Sequence, residues 1–224
     1  MRKGIIFSAM ILMTFVGQAQ VARLGVYFNK TMATGEFGNN LGKNPNGIIL
    51  NGMYGLKNTG FSVGGEFGVS MYSNRDYTLE TATETVKIHE EDCYYTGKVI
   101  VRYNFLKNTA ISPFIVGKVG FSTFFSDMVA EEETEAFENR FESHGTAFNS
   151  GVGAGLGFNI SKLFNFGSQN YPIYFDCSAN RNYGSVSNYR DIKSDDGATK
   201  SLNNGHFKSK TSHMDFHFGL NFTI

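Results

Sequence analysis

Large apolar side chains alternate with small or polar side chains along much of the chain. In the segment HMDFHFGLNFTI, one set of alternate positions holds Met214, Phe216, Phe218, Leu220, Phe222 and Ile224. The positions between them hold Asp215, His217, Gly219, Asn221 and Thr223. Because successive side chains of a β-strand point to opposite faces, this spacing predicts a strand with one apolar face and one polar face.

The same alternation recurs in seven further segments. Three of them are as regular as the last strand, namely 61–72, 95–105 and 147–160. Four are less regular, namely 21–29, 47–56, 112–125 and 173–181. The sequence therefore predicts eight strands, each of about the 9–11 residues that a tilted strand needs to cross a bilayer.

Two of the less regular segments do not show by alternation alone which face is polar. In 47–56, two large apolar residues share a face with Asn51, and the register stays open. In 112–125 both faces are apolar, and only Lys118 distinguishes them. A Lys that faces lipid near the bilayer midplane costs about 2–4 kcal/mol. Lys118 is therefore predicted to point away from lipid, into the interior of the structure.

The connections between the predicted strands alternate in length. Three are short or moderate, namely 57–60, 106–110 and 161–172. Four are long and polar, namely about 30–47, 73–93, 126–146 and 184–212. Short turns at one end and long loops at the other are typical of an up-and-down meander through a membrane. The long loops are predicted to lie outside the cell.

The polar faces of the strands distinguish a soluble barrel from a membrane barrel. A soluble barrel turns its apolar face inward and its polar face to water. Here the polar faces are rich in Gly, Ser and Asn, whereas the apolar faces are rich in Phe, and the chain holds 26 Gly and 22 Phe. Small residues with a few long charged ones suit the narrow interior of an eight-stranded barrel. The pattern favours a barrel that crosses a membrane.

The first residues, MRKGIIFSAMILMTFVGQAQ, have the layout of a secretory signal peptide. The interpretation is a signal at 1–19 and a barrel domain at 20–224. The apolar stretch is shorter than the ~20 residues that a membrane-spanning helix needs. Removal of Arg2 and Lys3 leaves 18 basic residues against 20 acidic ones, a net charge of −2. This balance excludes a strongly basic nucleic-acid binder, so no nucleic-acid partner is expected.

A signal peptide followed by eight alternating strands, with glycine-containing strands such as PFIVGKVGF and the closing FHFGLNF, resembles the outer-membrane β-barrel family. The family includes the OmpA/OmpX-type small barrels and many such proteins of Bacteroidetes. The resemblance implies an eight-stranded antiparallel up-and-down transmembrane β-barrel in the outer membrane of a Gram-negative cell. It implies contact with outer-membrane lipid and with the barrel-assembly machinery. That machinery would recognise the apolar face of the last strand, formed by Phe216, Phe218, Leu220, Phe222 and Ile224.

Seven charged residues fall on the inward faces of the predicted strands. Four are basic and three acidic: Arg23, Lys98, Arg102, Lys118, Glu66, Asp176 and Asp215. An unpaired charge away from water is costly, and these numbers suit mutual pairing. The expectation is a network of paired charges that fills a closed lumen. The alternative is a selective pore for small solutes.

Other motifs give weaker indications of a chemical function. GVGAGLGF echoes a dinucleotide-binding fingerprint, but its glycines keep a period of two within one strand, which is a structural pattern. His217 and Asp215 share the inward face and could form the dyad of a lipid-modifying enzyme, although a buried polar pair is the preferred interpretation. Cys93 and Cys177 are expected to be free thiols. No catalytic residue, metal ligand or cofactor is predicted.

Two of the long loops are acidic. The segment 73–93 holds six acidic and two basic residues, and 126–145 holds seven acidic and one basic. Clustered carboxylates could bind a divalent cation or a basic partner, although solvated acidic loops are common. The expectation is a monomeric, non-enzymatic barrel at the cell surface, with a structural or binding role and a possible extracellular ligand on its loops.

Overall fold

A computed structural model describes residues 19–41, 44–56, 59–80, 85–106, 109–132, 138–165, 172–190 and 206–224. Eight antiparallel strands close into a barrel in the order β1-β10-β7-β6-β5-β4-β3-β2. These strands are β1 Ala19–Ala33, β2 Asn46–Leu56, β3 Phe61–Glu80, β4 Thr85–Asn104, β5 Ile111–Glu132, β6 Glu138–Asn159, β7 Ile173–Gly184 and β10 His213–Thr223. Strands β8 Val186–Arg190 and β9 His206–Lys210 form a separate hairpin. Two short helices, α1 Gly35–Leu41 and α2 Ile160–Leu163, follow β1 and β6.

The eight predicted strands and the barrel are confirmed. The predicted signal peptide lies almost entirely outside the described residues and stays a prediction, as does recognition of β10 by the assembly machinery. None of the helices in the described part of the chain is long and apolar enough to cross a membrane.

The strand pairing sets the width of the barrel. Paired residues traced from Arg23 around all eight strands return to β1 at Ala33, ten residues further along. Such an offset requires tilted strands, and eight of them enclose a space that side chains can fill. The structure therefore has a narrow interior, as the sequence predicts.

An apolar belt surrounds the outside of the barrel. Its exposed side chains come from all eight strands and include Leu24, Val26, Phe28, Leu50, Phe67, Val99, Val119, Phe121, Val152, Phe175, Phe218 and Leu220. Fully buried polar residues lie inside, among them Thr31, Asn149, Asn180, Asn182 and Asn221. This inside-out arrangement is that of a barrel in lipid rather than in water.

The two doubtful registers are now settled. Lys118 is buried and points inward, as predicted, while Ile115 and Val119 are exposed on the belt. In β2, Ile49 and Met53 point into the lumen, and Ile48 and Leu50 face outward.

The prediction of long loops at 73–93 and 126–146 is wrong for most of those residues. Strands β3 and β4 stay paired as far as Glu80 and Thr85, and β5 and β6 as far as Glu131 and Glu138. These upper strand segments carry mostly polar residues, so hydrophobic alternation does not reveal them. The other two long loops also contain ordered elements, because α1 lies in 30–47 and the β8–β9 hairpin in 184–212.

The upper segments of four strands form what we call the extramembrane sheet: 72–80, 85–94, 124–132 and 138–148. The β2–β3 pairing ends at Met71, next to a register shift between Met71 and Ser73. On the other side, the β6–β7 pairing ends at Asn149. The sheet thus continues beyond the point where the barrel wall ends.

Candidate functional sites: the lumen and the extramembrane sheet

An apolar lid lies over the end of the lumen that carries the extramembrane sheet. Helix α1 contributes Phe37 and Leu41, which are one turn apart and buried on the same face, and β8 contributes Tyr189. They pack with Tyr94 and Phe124 at the base of the extramembrane sheet. The Phe37 ring lies edge-on to Tyr189 at 5.0 Å between centroids and to Phe124 at 5.7 Å. The lid separates the polar lumen from the outside.

Two ion pairs occupy the lumen beneath the lid. The Lys118 ammonium donates to both carboxylate oxygens of Glu66, at 3.1 and 2.8 Å. Lys98 lies 3.9 Å from Glu66 and 3.9 Å from Asp215, and it links the two carboxylates. All four side chains are almost fully buried. Two cations and two anions thus balance one another where water has little access.

Pairing across strands brings these four residues together. Glu66 of β3 lies directly opposite Lys98 of β4, while Lys118 reaches from β5 and Asp215 from β10 on the far wall. Each residue falls on the inward face of its own strand, because the side-chain period of a strand is two. Because the barrel is narrow, side chains from opposite walls meet across the lumen.

Asp215 has further contacts, of which the sequence indicated only the one with His217. Its two oxygens accept hydrogen bonds from Thr31 at 2.6 Å and from Asn182 at 2.8 Å. His213 Nε2 is 3.4 Å from the carboxylate, whereas His217 Nε2 is 4.0 Å away. All of these groups are buried in the lumen, away from the lipid-facing surface on which a lipid-modifying dyad would act. The preferred interpretation of a buried polar pair fits this geometry.

A third ion pair joins β4 to β7 nearer the short-turn end of the lumen. Arg102 Nη1 donates to Asp176 Oδ2. The same carboxylate accepts hydrogen bonds from the Tyr27 hydroxyl at 3.2 Å and from Asn221 Nδ2 at 2.5 Å. The Arg102 guanidinium also lies 3.5 Å from the centroid of the Phe114 ring. Contacts with Tyr27, Asn221 and Phe114 therefore fix the Arg102–Asp176 pair in place.

Arg23 stands apart from the other charges of the predicted network. It lies 4.8 Å from the centroid of the Tyr174 ring, and no carboxylate of the described residues forms an ion pair with it. Six of the seven charged residues are thus in contact in two groups, and Arg23 forms a cation–π contact at the short-turn end.

A cavity of about 30 Å³ remains within the lumen, lined by residues of both ion-pair groups, including Lys118 and Arg102. Two buried atoms of lining residues, Asn51 Oδ1 and His217 Nε2, have no hydrogen-bond partner in the described part of the chain. The lining also includes the apolar residues Met53, Ile100, Phe114 and Val116. A cavity of this size with some polar groups in its walls suits about one or two water molecules. It is far smaller than a solute pathway.

The glycines of GVGAGLGF line the lumen and make room for side chains from neighbouring strands. A Cβ added at Gly153 would collide with Asn180, and one at Gly155 would collide with the Phe114 ring and the backbone of β7. The motif is therefore a packing device, as the strand period indicates.

Substitution of Gly155 by Val tests this packing. We expect a loss of about 1–3 kcal/mol in the free energy of unfolding, because the added methyl groups force Phe114 out of its place. Ala154→Val on the adjacent, lipid-facing position is the matched control and should change little. Urea unfolding in lipid vesicles measures both. Equal stabilities would contradict a close-packed lumen.

Both cysteines are free, as predicted. Cys93 and Cys177 are half-buried on β4 and β7, which are not neighbours in the barrel. In the described residues no group of His, Cys, Asp and Glu side chains is arranged to hold a metal ion.

The outer face of the extramembrane sheet is acidic. Asp76, Glu91 and Asp127 lie on this face, together with His89 and Lys87. His89 Nδ1 is 2.5 Å from Asp76 Oδ1, directly across the β3–β4 pair. This hydrogen bond, together with the nearby carboxylates of Asp76, Glu91 and Asp127, raises the pKa of His89 above its ordinary value.

The His89–Asp76 pair should titrate. Because the pKa of His89 is raised in the folded protein, the pair contributes stability below the ordinary His pKa and loses it as the pH rises through the folded value. NMR titration of the imidazole should show a pKa that falls towards the ordinary value in Asp76→Asn. An unchanged pKa in that variant would contradict the contact.

Comparison with solved structures identifies the fold. No protein-family model matches the sequence, and no curated protein matches it. Ail of Yersinia pestis, solved with the heparin analogue sucrose octasulfate, is 16% identical, with a TM-score of 0.50 over 91% of this chain and 98% of Ail. Neisserial surface protein A is 9% identical, with a TM-score of 0.46 over 91% of this chain and 95% of that one. OprG of Pseudomonas aeruginosa is 10% identical, with a TM-score of 0.43 over 92% and 97%.

The fold is that of the small outer-membrane barrels, as the resemblance in the sequence implies. Its apolar belt is the surface that such a barrel presents to lipid. Most charged side chains of the described residues point into the lumen or lie beyond the belt. The chain accordingly has the fold of a small outer-membrane β-barrel, with an apolar outer surface that suits a lipid bilayer.

Proposed function

We propose that the protein is a surface-interaction barrel, in which the closed barrel is an anchor and the extramembrane sheet is the binding surface. The observation that carries this proposal is the continuation of four strands beyond the barrel wall. Short turns lie at the opposite end, and outer-membrane barrels place their short turns in the periplasm. The sheet would therefore stand on the outside of the cell.

The filled lumen supports an anchor rather than a channel. The lid and the two ion-pair groups lie in series along the lumen, and the cavity between the groups measures about 30 Å³. A solute would have to displace Phe37 and then break the Glu66–Lys118 pair. The alternatives of a narrow channel and of a lipid-modifying enzyme gain no support from this geometry.

The extramembrane sheet has a free strand edge. Residues 74–80 of β3 pair with β4 on one side, and in the described part of the chain no strand pairs with their other side. An unpaired edge offers a row of N–H and C=O groups to an added strand. The edge of β6 is different, because the backbone of β8 at Asn188 lies close to Gly145.

The charge of the sheet indicates the kind of partner. With Asp76, Glu91 and Asp127 on its outer face, the sheet should attract a cationic partner and repel a polyanion. Ail was solved with a sulfated heparin analogue, which is a polyanion. The present protein is proposed to take an extended basic peptide segment instead.

An oligolysine peptide is the probe for this proposal. We expect it to bind the barrel in lipid nanodiscs, and we expect sulfated heparin fragments not to bind to the sheet. The variant Glu91→Gln/Asp127→Asn should weaken peptide binding several-fold, because it removes two facing carboxylates of β4 and β5. Lys208→Gln/Lys210→Gln on the β9 hairpin is the matched control.

Amide hydrogen exchange locates the contact. Bound peptide should protect the amides of 74–80 more than those of the barrel strands. Equal binding by the wild type and by the acidic-face variant, or preference for heparin, would contradict the proposal.

A further inference from the structure

Two basic side chains interrupt the apolar belt. Lys30 of β1 and Arg181 of β7 are half-buried and fall on the outward faces of their strands. Lys30 lies between Phe28 and Met32, and both of these are exposed on the belt. Arg181 is followed on its face by Tyr183, which is 56% exposed. In the described residues, these are the only charged side chains that face outward within the belt.

The two residues belong to one patch of the surface. Lys30 pairs with Phe216 of β10, and Arg181 pairs with Met214 of the same strand. Strand β10 therefore lies between the two residues, and their partners on β10 are two positions apart. With a strand spacing of about 4.8 Å and a rise of about 3.4 Å per residue, their Cα atoms are about 12 Å apart. A Lys and an Arg side chain can reach across that distance to one ligand.

Neither cation has a counter-charge within the described protein. No carboxylate of the described residues forms an ion pair with Lys30 or Arg181. The Arg181 guanidinium lies 5.6 Å from the centroid of the Tyr183 ring. This contact uses the flat face of the guanidinium, so the N–H groups at its edge can still donate hydrogen bonds. In contrast, six of the seven charges in the lumen are paired.

We propose that Lys30 and Arg181 bind the phosphate groups of an anionic glycolipid in the outer leaflet. Cations that face hydrocarbon are unfavourable, and the long side chains of Lys and Arg relieve this by extending towards the head groups. Both residues lie towards the end of the belt that carries the extramembrane sheet, so they extend towards the outer leaflet. A phosphate there accepts charge-assisted hydrogen bonds from both side chains.

The surroundings favour a lipid over a free anion. Phe28, Phe216 and Met214 present apolar surface beside the two cations. A lipid places its acyl chains against this surface and its phosphates at the cations, whereas inorganic phosphate gains only the charge contact. The site depends on the orientation of the barrel and is independent of the proposed role of the extramembrane sheet.

Native mass spectrometry of the full chain in detergent tests the site. The probes are bisphosphorylated lipid A, the same lipid with its phosphates removed, and inorganic phosphate. We expect the wild type to retain bisphosphorylated lipid A. The variant Lys30→Gln/Arg181→Gln should retain it at least tenfold more weakly, while Lys208→Gln/Lys210→Gln should bind as the wild type does.

Folding is checked by the shift of the folded barrel on boiling in gel electrophoresis. In vesicles of zwitterionic lipid, the Lys30→Gln/Arg181→Gln variant should be at least as stable as the wild type, because it removes two charges from the belt. Equal retention of lipid A by both proteins would overturn the proposal. Equal binding of the dephosphorylated lipid, or displacement of lipid A by inorganic phosphate at equal concentration, would also overturn it.

Discussion

Replacement of Glu66 by Gln should destabilise the folded barrel by about 3–5 kcal/mol, the usual cost of leaving one member of a buried ion pair without its partner. Among the described residues, this carboxylate is the only anion within ion-pair distance of the Lys118 ammonium, and it also lies 3.9 Å from Lys98. Its side chain is 2% exposed, so water does little to replace it. Gln keeps the shape of Glu, and the loss therefore reports on charge alone. Urea unfolding in lipid vesicles gives the change in free energy.

A double-mutant cycle separates pairing from packing. Glu66→Gln/Lys118→Met removes both charges and should recover much of the stability, because a buried pair can be replaced by uncharged groups at small cost. Glu91→Gln, on the exposed face of the extramembrane sheet, should change the stability little. A Glu66→Gln barrel as stable as the wild type would show that the lumen is not a dry, paired network.

The second large effect is expected on the outside of the barrel. Phe218 is 45% exposed and lies at the middle of the paired run of β10, opposite Phe28 of β1 and Cys177 of β7. This position falls near the bilayer midplane. Phe218→Lys should therefore cost about 2–4 kcal/mol, because the ammonium has to be placed in hydrocarbon.

The control for this substitution is an exposed Phe at a different depth in the membrane. Phe148 is also exposed, but it lies where β6 leaves the barrel, just beyond its last pair with β7 at Asn149. Phe148→Lys should cost only about 0–1 kcal/mol, as for a charge near the interface. Refolding titrations in vesicles measure both variants. Equal costs at the two positions would contradict the assignment of the belt.

Much of the barrel could be predicted from the sequence because lipid imposes a strict alternation. A single charge, Lys118, fixes the register of a strand that is apolar on both faces, and the same argument places Phe114 and Val116 in the lumen. The same alternation predicted which charged residues point inward. It did not predict which of them form ion pairs, because contacts across the lumen depend on the offset between strands, which brings Asp215 close to Lys98.

The parts of the protein outside the membrane were harder to predict. Above the belt both faces of a strand meet polar surroundings, so the upper segments of β3 to β6 lack an apolar stripe. The lid was not predicted either. Phe37 and Leu41 are spaced as on one face of a helix, but a helix of seven residues is too short for this spacing to stand out in the sequence. Thr31 and Asn182 gave no signal, since small polar residues are common on every inward face.

Conductance in planar bilayers tests most directly whether the protein is a membrane barrel with a closed lumen. Purified barrel is inserted, and insertion is verified by the shift on boiling of protein recovered from the membrane. We expect no discrete conductance steps from the wild type at neutral pH, because the lid and the ion pairs of Glu66 and Arg102 fill the lumen. Reproducible steps from correctly folded wild-type protein would contradict a closed lumen.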